Sequence, residues 1–259
     1  MAPAPDASNR FSLALASLAL LLVTDARAGP PFVTDDPEPV GKGHWEINSA
    51  VTGTRSDAGT MAFAPQIDIN YGAAAGVQLH VMPQLAYSSS SAEPAGRRAY
   101  GVGDTEYGIK LRLIDEDSAT GEWMAAIYPF YEAPTGSARR GLGAGAQSEY
   151  LPLWLQWRAG GWTTYGGGGY WFNAGAGRRN AWSGGWVVLY QFTPALQFGA
   201  EAFARTADSD GARGAAGADI GGTYDLRDDV ALLFSAGRGI VNAASTDQAS
   251  WYLGIRITR

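Results

Sequence analysis

The chain has no cysteine and only two histidines in 259 residues. Without thiols there is no disulfide framework and no thiolate metal site. His44 and His80 have no H-x-x-x-H spacing around them, so no metal site and no cofactor is expected. Long apolar runs are also missing: beyond residue 28 nothing approaches the ~18 consecutive apolar residues of a membrane helix. Basic excess is missing too, and a net charge of −6 argues against nucleic acid as a partner. There is no G-x-S-x-G nucleophile elbow. Gly141-Leu142-Gly143-Ala144-Gly145 and Gly166–Gly169 are not followed by Lys-Ser/Thr, so neither is a phosphate loop.

What the chain does have is alternation. In Glu106–Leu113, Tyr107, Ile109, Leu111 and Leu113 share one face of an extended strand, while Glu106, Lys110 and Arg112 share the other. The texture recurs about every 20 residues. Segments of about ten alternating residues separated by turn signals mark a transmembrane β-barrel with a polar lumen. Such barrels escape hydropathy scans, which explains an unremarkable mean hydropathy of −0.12.

The N-terminal 28 residues read as a cleaved Sec-type signal peptide. Phe11–Val23 is an apolar stretch too short to span a bilayer, and Ala26-Arg27-Ala28 is an A-x-A site. Residues 29–43 form a Pro-rich acidic leader, expected to be stiff and to place Phe32 and Val33 in or under the inner mouth as a plug. Residues 44–259 are expected to form one all-β, antiparallel transmembrane barrel. Twelve strands are expected near 44–54, 61–71, 77–87, 102–114, 122–132, 148–158, 162–173, 181–191, 195–205, 215–225, 229–240 and 249–258. Loss of the Gly-rich 162–173 and 215–225 would reduce the count to ten. With the N-terminus inside, long loops alternate with tight inner turns, as barrels require. The 115–121 turn reads as longer than the other inner ones.

The opening Gly-Pro-Pro-Phe-Val-Thr-Asp-Asp-Pro-Glu-Pro-Val-Gly-Lys-Gly-His-Trp-Glu-Ile-Asn resembles that of the phenol meta-pathway (MetA) family of bacterial outer-membrane proteins. Gly103–Glu106, Pro134-Thr135-Gly136 with Gly141–Gly143, Tyr150–Trp157 with Trp162–Tyr170, and Asn180–Tyr190 look similar to it as well. The resemblance implies a single outer-membrane barrel associated with transport and aromatic-compound catabolism. The chain departs in its last residues, Ile255-Arg256-Ile257-Thr258-Arg259, where outer-membrane barrels usually end on an aromatic residue.

Lipid-facing Lys or Arg at the midplane costs about 2–4 kcal/mol, so the charged face of each strand is assigned inward. This places Glu46, Asp68, His80, Asp104, Glu106, Lys110, Arg112, Glu132, Arg158, Glu201, Arg205 and Asp219 in the lumen, as a solute pathway or as paired filling. Outward fall Trp45, Ile67, Ile69, Leu79, Ile109, Leu111, Leu153, Leu155, Leu196, Phe198, Leu253 and Ile255. A hairpin centred on Ala74 sets Asp68 opposite His80. This is two-thirds of a hydrolase triad, but no serine completes it. A turn centred near Ser118 sets Arg112 near Met124 and Asp104 near Glu132. Asp104, Glu106, Lys110, Arg112, Glu132 and Arg158 then build a mixed-charge constriction.

Arg97-Arg98, Arg139-Arg140 and Arg178-Arg179 fall in outer loops, where guanidinium forks suit lipopolysaccharide phosphates. Trp154, Trp157, Trp162, Tyr165, Tyr170, Trp171, Trp182 and Trp186 are expected as interface girdles, with an inward aromatic wall as the alternative. The expected function is passive uptake of small, including aromatic, molecules across the bacterial outer membrane. The alternatives are a filled structural or surface-interaction barrel and, more remotely, an outer-membrane hydrolase; no enzymatic activity is expected.

Overall fold

The computed structural model describes residues 30–91 and 97–259; the expected signal peptide lies outside them. Twelve antiparallel strands close into a barrel. They are β1 (Trp45–Ser56), β2 (Gly59–Ala74), β3 (Val77–Met82 continuing as Gln84–Ser90) and β4 (Arg98–Val102 continuing as Thr105–Ser118). Next come β5 (Gly121–Ile127 continuing as Phe130–Ala133), β6 (Ser148–Ala159), β7 (Trp162–Asn173) and β8 (Ala181–Thr193). The last four are β9 (Leu196–Arg205), β10 (Ala215–Arg227), β11 (Val230–Val241) and β12 (Ala249–Thr258). The breaks in β3 and β5 fall at Pro83 and Pro129, which have no N–H for the ladder. β1 closes the cylinder on β12 from Glu46↔Thr258 to Arg55↔Ala249. Closure leaves no unpaired backbone edge in lipid, where each unsatisfied group would cost several kcal/mol.

Every inner turn is a two-residue gap, at 75–76, 119–120, 160–161, 194–195 and 228–229. The 115–121 turn is therefore not long; β4 extends to Ser118 and pairs it with Gly121. Longer connections gather at the other end, and two short 3₁₀ turns, Ala138–Arg140 and Ala243–Ser245, sit there. The Gly-rich β7 and β10 are complete strands. Gly167 in β7 has φ +148, and a Cβ there would strike the Leu153 carbonyl of β6. Glycine thus admits this backbone conformation and the close approach of β6 while the ladder stays intact.

Two hairpins differ from the symmetric expectation. The turn lies at 75–76, beyond the assumed centre at Ala74, and a register shift between Gly72 and Ala74 takes back only one residue, so His80 pairs with Asn70 instead of Asp68. The next inner turn lies at 119–120 instead of being centred on Ser118, and a shift between Arg112 and Ile114 takes back only one residue, so Arg112 pairs with Ala126 and Glu106 with Glu132, and Asp104 is not opposite Glu132. Each bulge adds one residue to one strand, which sequence symmetry about a turn cannot count.

Alternation holds around the wall. Leu79, Ile109, Leu153, Leu155 and Leu253 are exposed on the outside, where lipid replaces water, while Asn48, Asn70, Gln78, Lys110 and Gln156 are buried inside. A closed cylinder resists detergent until heated. The protein extracted from membranes is therefore expected to migrate differently on SDS gels before and after boiling. A species with one mobility under both conditions contradicts closure.

Candidate functional site: a leader-filled lumen between two chambers

The leader turns into the barrel and is held there by lumen side chains. Glu201 on β9 accepts from the backbone N–H groups of Val33 (2.9 Å) and Thr34 (2.7 Å) and from the Thr34 hydroxyl. Lys110 on β4 reaches Asp35 (3.1 Å) and Asp36 (3.7 Å), and lies 4.8 Å from the centre of the Tyr128 ring. Arg158 on β6 bridges Glu38 and Glu122, each at 3.1 Å. Gln78 accepts from the Val40 N–H, Ser235 donates to the Pro31 carbonyl, and Arg256 donates to that of Pro30. Phe32 packs on Tyr165, Val187 and Leu189, deeper than the inner mouth, whereas Val33 is 66% exposed. A Cβ at Gly185 would collide with Thr34 Oγ1, so the leader runs against bare backbone there.

The remaining lumen candidates separate into three groups. His80 sits between Asp68 (2.9 Å) and Glu106 (3.0 Å), with Asn70 at 3.1 Å and Tyr128 edge-on. Asp68 is diagonal to His80, and Asn48 and Asn70 also donate to it. No serine touches the pair among the described residues, so a triad does not form. Near the outer end, Asp104 accepts from the N–H groups of Gly136 (2.8 Å) and Ala144 (2.6 Å), tying the loop between β5 and β6 onto the wall. Glu132 faces Glu106 across the strand pair. Asp219 accepts from Ser250, and Arg205 lies 3.9 Å from Asp247. At the inner end Arg112 pairs with Asp115 (2.8 Å) and Glu46 with Arg256 (3.6 Å).

The six expected track residues converge only in part: Glu132 stays beside Asp104 and Glu106, but the cations do not join them. The leader takes Lys110 and Arg158, the outer loop takes Asp104, and His80 takes Glu106. Alternation gives the face of a residue but not which segment fills the lumen beside it. Arg256, with only 1% of its surface exposed, was missing from the lumen set, although outward Leu253 and Ile255 put it on the inner face. Asp35, Asp36 and Glu38 were also missed, because a leader carries no periodic signal.

Two chambers flank the leader. The inner one, about 520 Å³, is lined by Glu38, His44, Glu46, Gln78, Lys110 and Arg112 among others. The outer one, about 490 Å³, is floored by Pro30–Asp35 and walled by aromatic side chains. There Tyr150 and Trp171 stack 4.5 Å apart, Phe130 packs against both, and Trp171 donates to Ser183. Of the eight aromatic residues weighed as girdles, Trp154, Tyr165 and Trp171 face inward. Trp162, Trp182 and Trp186 are exposed on the outside. Trp157 packs with Trp123, and Tyr170 with Trp182, on that same surface.

The arginine pairs are placed differently from a uniform lipopolysaccharide rim. Arg178 braces Ala146, Ser148 and Asn173, and Arg179 pairs with Asp210 at 2.7 Å. Arg97, Arg139 and Arg140 line a cavity at the outer mouth. Arg98 alternates with lumen-lining Ala99 and so faces outward.

Burial pushes the Asp36 carboxyl up from its ordinary 3.8 to about 8, against the pull of Lys110. Its facing charges are Lys110 on β4 and Asp35 and Glu38 on the leader, and burial raises Glu38 as well. Seated leader thus binds more protons than released leader. Its seating is strongest at acid pH and weakens as pH rises toward 8. Bilayer conductance is expected to be higher at pH 9 than at pH 6, and Asp36→Asn to reduce that difference. A flat profile in the unmodified protein contradicts this coupling.

Residues 28–257 match the family described as "Putative MetA-pathway of phenol degradation". The chain belongs to this family. Its fold is similar to the COG4313 outer membrane channel from Pseudomonas putida F1. That match has a TM-score of 0.65 at 14% identity and covers 90% of this chain and 99% of the other. The NanC porin is similar as well, with a TM-score of 0.54 at 10% identity over 82% of this chain and 98% of that one. No curated protein sequence matches. The fold is that of an outer-membrane barrel.

Proposed function

We propose that this family member is an outer-membrane channel for passive passage of small molecules with an apolar, commonly aromatic, body. The observation that carries this reading is the aromatic-walled outer chamber inside a closed barrel. Stacked and edge-on rings supply apolar area with exposed π-faces at low conformational cost. The inner chamber is polar and charged, so a solute that has crossed the leader returns to a water-like lining. No catalytic step is assigned: His80 is committed to two carboxylates and an amide. The chain reaches the outer membrane through export directed by its N-terminal segment.

Single-channel recording in planar bilayers tests the reading. Discrete current steps from the purified, heat-modifiable protein are expected, with benzyl alcohol partly blocking them. Absence of current from correctly folded protein would instead favour the filled, structural barrel, a role that the leader inside the lumen would suit.

A further inference from the structure

The outer-mouth cavity, about 470 Å³, is lined by Arg97, Arg139 and Arg140, by the hydroxyl residues Thr54, Thr60 and Ser88, and, among the described residues, by no carboxylate. Two of the guanidiniums are pinned by one bond each. Arg97 donates to the Arg139 carbonyl (2.8 Å) and Arg140 to the Tyr100 carbonyl (2.9 Å). Each has further N–H donors beyond that bond. Among the described residues, no ion pair reaches any of the three, whereas Arg158, Arg179 and Arg256 all face acids. Among the described residues, three concentrated positive charges thus lie beside neutral hydroxyl groups and pair with no acid.

The cavity is not isolated. Thr54 and Met61 line both it and the aromatic chamber. A molecule with one negative end and an apolar body would meet guanidinium forks first and ring faces next, over a single continuous surface. Guanidinium groups bind carboxylate through paired N–H···O bonds, and such charge-assisted bonds are the strong ones. We propose that the outer mouth is an anion-binding station for the passing solute. The solute class is a small monoanionic amphiphile, such as an aromatic carboxylate, with its head on Arg97, Arg139 and Arg140 and its ring toward the aromatic chamber. This deepens the channel reading and rests on it for the identification of the ligand as a passing solute. A lipopolysaccharide phosphate would offer the same anionic head without the need for an adjoining aromatic chamber.

The test is equilibrium dialysis of labelled benzoate and labelled benzyl alcohol against detergent-purified protein, with inorganic phosphate as competitor. Loss of charge-assisted bonds corresponds to about a tenfold or larger change in affinity. Benzoate is expected to bind about tenfold more tightly than benzyl alcohol. Arg139→Gln is expected to remove most of that advantage while leaving benzyl alcohol unaffected, and Arg139→Lys to restore part of it. Arg139 is the informative single change because its side chain makes no bracing bond, so the loop keeps its ties. The triple change R97Q/R139Q/R140Q, checked for folding by heat-modifiable mobility, is expected to abolish the advantage.

Equal affinities for benzoate and benzyl alcohol would overturn the proposal, as would benzoate binding untouched in the triple variant. Displacement of benzoate by an equal concentration of inorganic phosphate would overturn the amphiphile assignment and point to a bare phosphate site. The channel reading fails separately: arginine-dependent binding without bilayer current would sink conduction, and current without arginine-dependent binding would sink the station.

Discussion

Deleting Pro30–Pro39 is expected to raise single-channel conductance several-fold. This segment contributes the floor of the outer chamber and part of the inner chamber's lining. Its backbone is tied to Glu201, Ser235 and Arg256, on strands β9, β11 and β12 around the cylinder. With the segment gone, the two chambers join through the centre of the barrel and ions cross without passing it. The wall itself stays intact, because every strand keeps both neighbours. The deleted protein is therefore expected to retain its heat-dependent gel shift. An unchanged conductance in such a folded variant would show that ions already bypass the leader.

Lys110→Met is expected to release the leader without any deletion. Lys110 is 3% exposed, and the Asp36 side chain it faces is fully buried. Asp35 lies closer, at 3.1 Å. Above the Asp36 titration, at pH 9, removing the cation strands buried carboxylate charge at a cost of about 3–5 kcal/mol, and swapping the whole group for neutral side chains costs far less. Seating of a short leader has little stability to spare against such a loss. The variant should behave like the deletion, with raised conductance and a leader newly open to protease. Adding Asp35→Asn and Asp36→Asn should bring both readouts back toward the parent. If Lys110→Met leaves conductance and protease resistance unchanged, the Lys110 contact does not hold the leader.

Much of the fold was legible because a membrane barrel writes its rules locally. Lipid tolerates no unpaired backbone and few charges, so Tyr107, Ile109 and Leu111 alternate with Glu106, Lys110 and Arg112 whatever lies across the lumen. That alternation was enough to order twelve strands and to direct Glu46, Asp68, His80 and Glu201 inward. It misjudged pairing because the turns at 75–76 and 119–120 lie beyond the assumed centres at Ala74 and Ser118, an offset that the bulges at Gly72–Ala74 and Arg112–Ile114 each take back by only one residue. A bulge is a one-residue choice settled by neighbouring strands on both sides.

The candidate site was less legible than the wall. Sequence placed Lys110, Arg112, Asp104 and Arg158 on one charged face and took them for one track. The structure divides them among the leader, an inner-end acid and an outer loop. Arg97, Arg139 and Arg140 come from segments about 40 residues apart and meet only because β4 and the loop after β5 fold over the same mouth. By itself the sequence determined the strand period, the direction of each face and closure into an outer-membrane barrel, because those follow from the solvent on either side of each residue. Which charges meet, and what fills the lumen between them, was decided by tertiary structure alone. Those contacts join residues such as Thr34 and Glu201 that lie far apart in the chain, and no local pattern records them.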